Sequence, residues 1–171
     1  MRYESSVRNQ FVRQMVKKVL TDSKIKDAPV DLRLILSAHG VGYEEVNDFP
    51  DTVDALIVED GIKVYAAVNS RQHPHRQRFS LAHELGHYFL HRDGMPEDSV
   101  TIDSPPEETT EVRSKSPAES EADLFAGELL VPVKLLKLHA GKSIPELAKV
   151  FVVSEQVVSI AISRHMQALF K

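Results

Sequence analysis

Residues 83–87 read His83-Glu84-Leu85-Gly86-His87, and they close a longer run, Arg78-Phe79-Ser80-Leu81-Ala82. From about Pro74 to Arg92 the apolar positions Phe79, Leu81, Ala82, Leu85 and Phe89 recur with helical spacing. Residues four apart on a helix share a face about one turn apart, so His83 and His87 can converge on one ion. Zinc accepts neutral imidazole nitrogen at about 2.0–2.1 Å. Glu84 follows the first histidine and borders the same face, where it can accept a proton from a water that such an ion has activated. The spacing His-Glu-x-x-His has this mechanism behind it. Gly86 costs about 1 kcal/mol against alanine inside a helix, which points to close approach by a substrate or by another element.

A catalytic zinc takes three protein ligands and leaves one position open. The pattern that adds a glycine three residues and a histidine six residues after the second ligand fails, because those positions hold Leu90 and Asp93. His91 lies roughly 12 Å along the axis from His83, too far for all three imidazoles to meet at one point. A carboxylate from a second helix remains. Ser116-Pro117-Ala118-Glu119-Ser120-Glu121-Ala122-Asp123 offers Glu119 and Asp123 on one face. Glu119 is placed to bind the ion, and Asp123 to accept a hydrogen bond from the free ring nitrogen of a ligating histidine. Glu121 and Glu128 compete with Glu119. Ser116 with Glu119 also fits a capping box, with Pro117 at the first helical position.

Upstream of this region, Val7, Phe11, Met15 and Val19, flanked by Val12, Val16 and Leu20, predict an amphipathic helix over residues 5–21. A second helix is expected between Pro29 and Gly40, with Leu32, Ile35 and Leu36 buried. Val53–Val58 and Ile62–Asn69 are strand-like, and Asp60-Gly61 between them is a preferred hairpin pair. Val41–Val46 reads as a third strand. Downstream, residues 93–116 are polar and proline-bearing and read as a long loop that either gates a cleft or simply connects. The helix opened by Ser116-Pro117 ends near Val131-Pro132, and two or three short helices follow. The fold class expected is α+β, a small antiparallel sheet with a zincin-like helical half carrying the His-Glu-x-x-His segment. Residues 1–132 form the expected core and 133–171 a C-terminal helical subdomain packed on it.

The chain of 171 residues suits such a domain, and 42% hydrophobic residues suffice for a core. A net charge of -4 supplies no basic field for nucleic acid. There are no cysteines, so disulfides and thiolate metal sites are excluded and any transition metal must be held by His, Asp or Glu. No apolar run approaches the roughly 20 residues that span a bilayer, and residues 1–13 lack a signal-peptide centre. A cytoplasmic protein is the expectation.

The run Arg78–His87, followed by Glu119-x-x-Ala122-Asp123-x-Phe125-Ala126-x-x-Leu129-Leu130-x-Pro132, resembles the ImmA/IrrE family of zinc metallopeptidases, most strongly over residues 53–132. That family's ligands are the two histidines and a glutamate four residues before an Asn or Asp. The resemblance therefore implies His83, His87 and Glu119 around Zn2+, Glu84 as the catalytic base, and Asp123 beside a ligand where the family often has Asn. It also implies a bacterial protein of a phage or mobile element, cleaving a helix-turn-helix transcriptional repressor. An extended substrate could pair with the strand Ile62–Asn69. Tyr88, His73, His75 and Arg78 are the candidates for stabilising the oxyanion, by proximity in sequence.

A rival reading starts at Ser143–Arg164. Ile144, Leu147, Ala148 and Phe151, then Ser154, Val157, Val158 and Ile162, resemble a helix-turn-helix core. This would suit a metal-binding, DNA-associated regulator without proteolytic activity. The second helix carries Glu155, Gln156, Ser159 and Ser163 as its polar positions, with Arg164 and His165 only at its end. Phosphate contacts need several Lys or Arg, which argues against direct nucleic-acid binding.

Overall fold

The computed structural model describes residues 7–92, 100–103 and 115–169. The first helix, α1 (Asn9–Asp22), buries Val12, Val16 and Val19. Phe11 stays exposed, because seven apolar positions cover a wider arc than one core contact can absorb. The expected start at residue 5 lies outside the described residues. In α2 (Leu32–Ala38), Leu32, Ile35 and Leu36 are buried. It starts three residues after Pro29 because Asp31 supplies the cap, accepting from Leu34 N at 3.1 Å. Gly40, at φ +69°, turns the chain into the sheet.

Four strands follow, β1 (Val41–Val46), β2 (Ala55–Glu59), β3 (Val64–Asn69) and β4 (Val100–Asp103), in the order β1-β3-β2-β4. The hairpin β2–β3 is antiparallel, as expected. Its connection is Asp60–Lys63 rather than a two-residue turn. Asp60 Oδ1 accepts from Ile62 N at 3.0 Å and Lys63 N at 2.7 Å, and Gly61 sits at φ +80°. The sheet is mixed, not antiparallel throughout: β1 lies parallel to β3, in register Val41↔Val64 to Val46↔Asn69. The strand positions bear on two more expectations. Ile62–Asn69 could be an edge open to a substrate or an internal strand, and the structure has the internal one: β3 is hydrogen-bonded on both sides. Residues 93–116 were read as loop, yet Val100–Asp103 forms the edge strand beside β2; the remainder of that connection up to residue 114 lies outside the described residues.

The helical half is α3 (Pro74–His91), α4 (Pro117–Leu130), α5 (Val133–Leu138), α6 (Ile144–Phe151) and α7 (Glu155–Leu169). Proline opens α3 and α4, where its missing N–H costs nothing. A capping box of Ser143 and Glu146 starts α6. Arg76 anchors the front of α3 to the sheet, donating from Nε and Nη2 to the buried Asp54 at 2.9 and 2.6 Å. The core joins all layers: Leu85 of α3, Phe125, Leu129 and Leu130 of α4, Ile35 and Leu36 of α2, Val68 of β3 and Phe151 of α6 are fully buried. Each such Leu, Ile or Phe contributes about 1.5–3 kcal/mol. The α+β class and the zincin-like helical half are as expected. No described helix is long and apolar enough to cross a membrane.

Candidate metal centre

Two helices build the site. His83 lies against Asp123 and His87 against Glu119, so α3 and α4 run antiparallel along their contact. Gly86 sets how close they come. A Cβ at that position would lie 2.9 Å from Ala122 Cα and 3.1 Å from Ala122 O, so only glycine lets the two backbones touch there. The close approach anticipated from the sequence is therefore to α4. Around this contact, Asp123 and Glu119 of α4 reach the imidazoles of α3.

His83 and His87 are buried, with Nε2 atoms 3.1 Å apart. Glu119 completes the group: Oε2 is 3.3 Å from His83 Nε2 and Oε1 is 3.2 Å from His87 Nε2. Ligands held about 2.0–2.1 Å from a tetrahedral centre are separated by about 3.3 Å. The donor set thus fits a divalent ion, and His83, His87 and Glu119 form a group that could hold one. Ser116 Oγ accepts from Glu119 N at 3.2 Å, so the cap and the ligand position coexist. The backbone of Glu119 is capped while its carboxylate faces the histidines.

Asp123 Oδ1 lies 3.0 Å from His83 Nδ1, and Lys115 Nζ lies 2.5 Å from Asp123 Oδ2. Burial raises the Asp123 pKa, but the hydrogen bonds from His83 and Lys115 outweigh it and hold the carboxyl below its usual range. An ionised Asp123 can only accept, so His83 Nδ1 carries a proton, and Nε2, which faces Glu119 and His87, is the nitrogen left for an ion. Glu84 is buried at 1% exposure, on the turn that carries His83.

The competing carboxylates are engaged elsewhere. Glu121 accepts from Arg8 N, Nε and Nη2 at 2.8, 3.0 and 2.7 Å. Glu128 accepts from Arg13 Nε at 3.1 Å and pairs with His165 Nε2 at 2.8 Å. His91 sits beside the site, its ring 5.6 Å from that of His87 and its Nε2 3.7 Å from Glu121 Oε2. Arg78 is not at the site: Nε donates to Val152 O at 3.1 Å and Nη2 to Val30 O at 2.9 Å, tying α3 to the α6–α7 turn. Tyr88 faces Arg92 and Phe89, away from the histidines. His73 caps α3, its Nδ1 accepting from His75 N at 3.2 Å. Lys115 escaped the sequence reading, since a lone lysine in a polar connection carries no periodic signal.

The sequence profile of the IrrE N-terminal-like domain, peptidase family M78, matches residues 65–163. The chain belongs to that family. The match covers the metal centre and the helices after it, in line with the ImmA/IrrE resemblance of the two motifs. Among solved structures, a Mycobacterium tuberculosis transcriptional regulator superposes with a TM-score of 0.62 at 18% identity, over 91% of this chain and 48% of the regulator. That likeness is one of fold, and the chain spans about half the regulator's length. No curated protein matches in sequence. The family is one of metallopeptidase type, and in this IrrE-like domain His83, His87 and Glu119 form a group that could hold a metal.

Proposed function

We propose that the protein is a zinc-dependent endopeptidase in which His83, His87 and Glu119 hold the ion, Glu84 is the catalytic base and Asp123 orients His83. The observation that carries this reading is the convergence of two imidazoles and one carboxylate at tetrahedral spacing beside a buried glutamate. When bound, zinc supplies a Lewis acid that lowers the pKa of water and polarises a carbonyl. The residues supply the rest. A Glu84 carboxylate oxygen takes a proton as the water oxygen bonds to the scissile carbonyl carbon. It then returns that proton to the departing amine nitrogen as the C–N bond breaks. Asp123 keeps the His83 Nδ1 proton in place throughout.

The substrate class in this reading is a helix-turn-helix repressor of a phage or mobile element, supported by family membership. The extended segment would pair with β4, the strand on the α3 side of the sheet whose outer edge has no partner strand among the described residues. Residues 1–132 are read as the peptidase core and 133–171 as a helical subdomain packed on it. The rival reading, a metal-binding regulator on DNA, draws on the helix-turn-helix shape of α6 and α7. Against it stand Glu155, Gln156, Ser159 and Ser163 on the second helix.

Glu84→Gln separates the two. The variant should retain zinc and its melting temperature while cleavage of a repressor substrate falls by roughly a hundred- to ten-thousand-fold. Turnover equal to the wild type would overturn the assigned base.

A further inference from the structure

A cavity of about 480 Å3 lies where α7 crosses the groove between α3 and α4. Its wall is apolar, with Phe79, Val157 and Ile160 among its residues, and its volume falls in the range of small-molecule sites. The polar lining is unevenly charged. Arg76, Lys115, Arg164 and His75 stand against one carboxylate, Asp123. Both oxygens of Asp123 are already engaged, by His83 and by Lys115. Arg76 is neutralised by Asp54. His75 is held below the usual imidazole range by burial first, then by the nearby His73 and Arg78.

Arg164 is different. It is an exposed residue that makes no hydrogen bond and no ion pair among the described residues. It lies on the backbone of α4 over Gly127, where a Cβ would come within 3.1 Å of Nη1. Glycine at 127 makes room for a guanidinium at the edge of an apolar cavity, and nothing in the described chain uses its charge. A planar, permanently charged fork in that position matches a carboxylate.

We propose that this cavity binds a small amphipathic anion, an apolar body bearing a carboxylate, with Arg164 taking the charge and the Phe79–Val157–Ile160 wall taking the body. The cavity shares Asp123 with the metal centre, but Arg164 and the apolar wall are not among the ligands, so binding does not depend on the peptidase reading.

The test is isothermal titration of the full chain, with and without zinc, using octanoate, octanamide and acetate as probes. Octanoate should bind roughly ten- to a hundredfold more tightly than octanamide, the ratio expected for a charge-assisted hydrogen bond. Acetate should bind more weakly than either. Arg164→Gln should erase the preference for octanoate, and Ile160→Glu, at a half-exposed position on the rim, should abolish its binding. Unchanged circular dichroism melting would show that both variants fold. No binding at millimolar octanoate, equal binding of octanoate and octanamide, or an undiminished preference in Arg164→Gln would overturn the proposal.

Discussion

Helix α4 carries two carboxylate–imidazole pairs of the same chemistry, their acidic members five residues apart. Asp123 meets His83 at 3.0 Å, and Glu128 meets His165 at 2.8 Å. Both imidazoles are buried. The surroundings separate them. Around His83 a second imidazole and a second carboxylate converge, and Glu119 remains about half exposed, so the group opens to the outside. Around His165 the only further partner among the described residues is Arg13, whose Nε donates to Glu128 and completes an ion pair. A buried His–carboxylate contact is therefore not a site in itself. It becomes one when several lone pairs face one point. The pair at Glu128 holds α7 and α1 on α4, whereas the pair at Asp123 holds a ligand in orientation.

The sharpest way to break the comparison is Glu128→Ala. It removes the partner of a buried imidazole together with that of Arg13, and should cost on the order of 3 kcal/mol in denaturant unfolding. Zinc affinity in the folded variant should be unchanged; a parallel loss of zinc would erase the distinction. Asp123→Ala should do the reverse. Zinc affinity, measured by chelator competition, should fall roughly ten- to a hundredfold, with little change in unfolding midpoint. Asp123→Asn should recover most of that loss, because an amide oxygen still accepts from His83 Nδ1. Gly86→Ala sharpens the account of why the upper half of α4 comes close enough. Alanine gains about 1 kcal/mol of helix propensity, but its Cβ would press on Ala122. Overpacking of this kind typically costs about 1–3 kcal/mol, so the net change should be a loss of roughly 1 kcal/mol with weaker zinc binding. A stabilised variant with full zinc affinity would show that the helices have slack at this contact.

The same distinction governs what could be read from the sequence. His83 and His87 were legible because their relation is local, four residues on one helix. The cap of α4 was legible for the same reason, Ser116 with Pro117, whereas α2 starts from Asp31 and not from Pro29. Glu119, Glu121 and Glu128 could not be ranked from spacing, because the choice depends on which face of α4 meets α3, and on Arg8 and Arg13 from more than a hundred residues away. Only the family resemblance favoured Glu119. Sheet order was hidden by the same non-locality. Nothing in Val41–Val46 says that it pairs parallel with β3 rather than with its neighbour in sequence, and β4 is four residues within a polar connection. Gly86 was flagged by its helix cost, and the structure supplies Ala122 as the reason. Arg164 was read only as a cation at a helix end, since its seat over Gly127 exists only after α7 has packed.

Zinc binding itself tests the central claim most directly. Titration of the metal-free chain against a competing chelator should give one ion per chain for the wild type and for Glu121→Gln and Glu128→Gln. Glu119→Gln should lose affinity by a hundredfold or more, as expected for removing one of three protein ligands. Equal affinity in Glu119→Gln, or a loss confined to the Glu121 or Glu128 variants, would contradict the assignment of the ion to His83, His87 and Glu119.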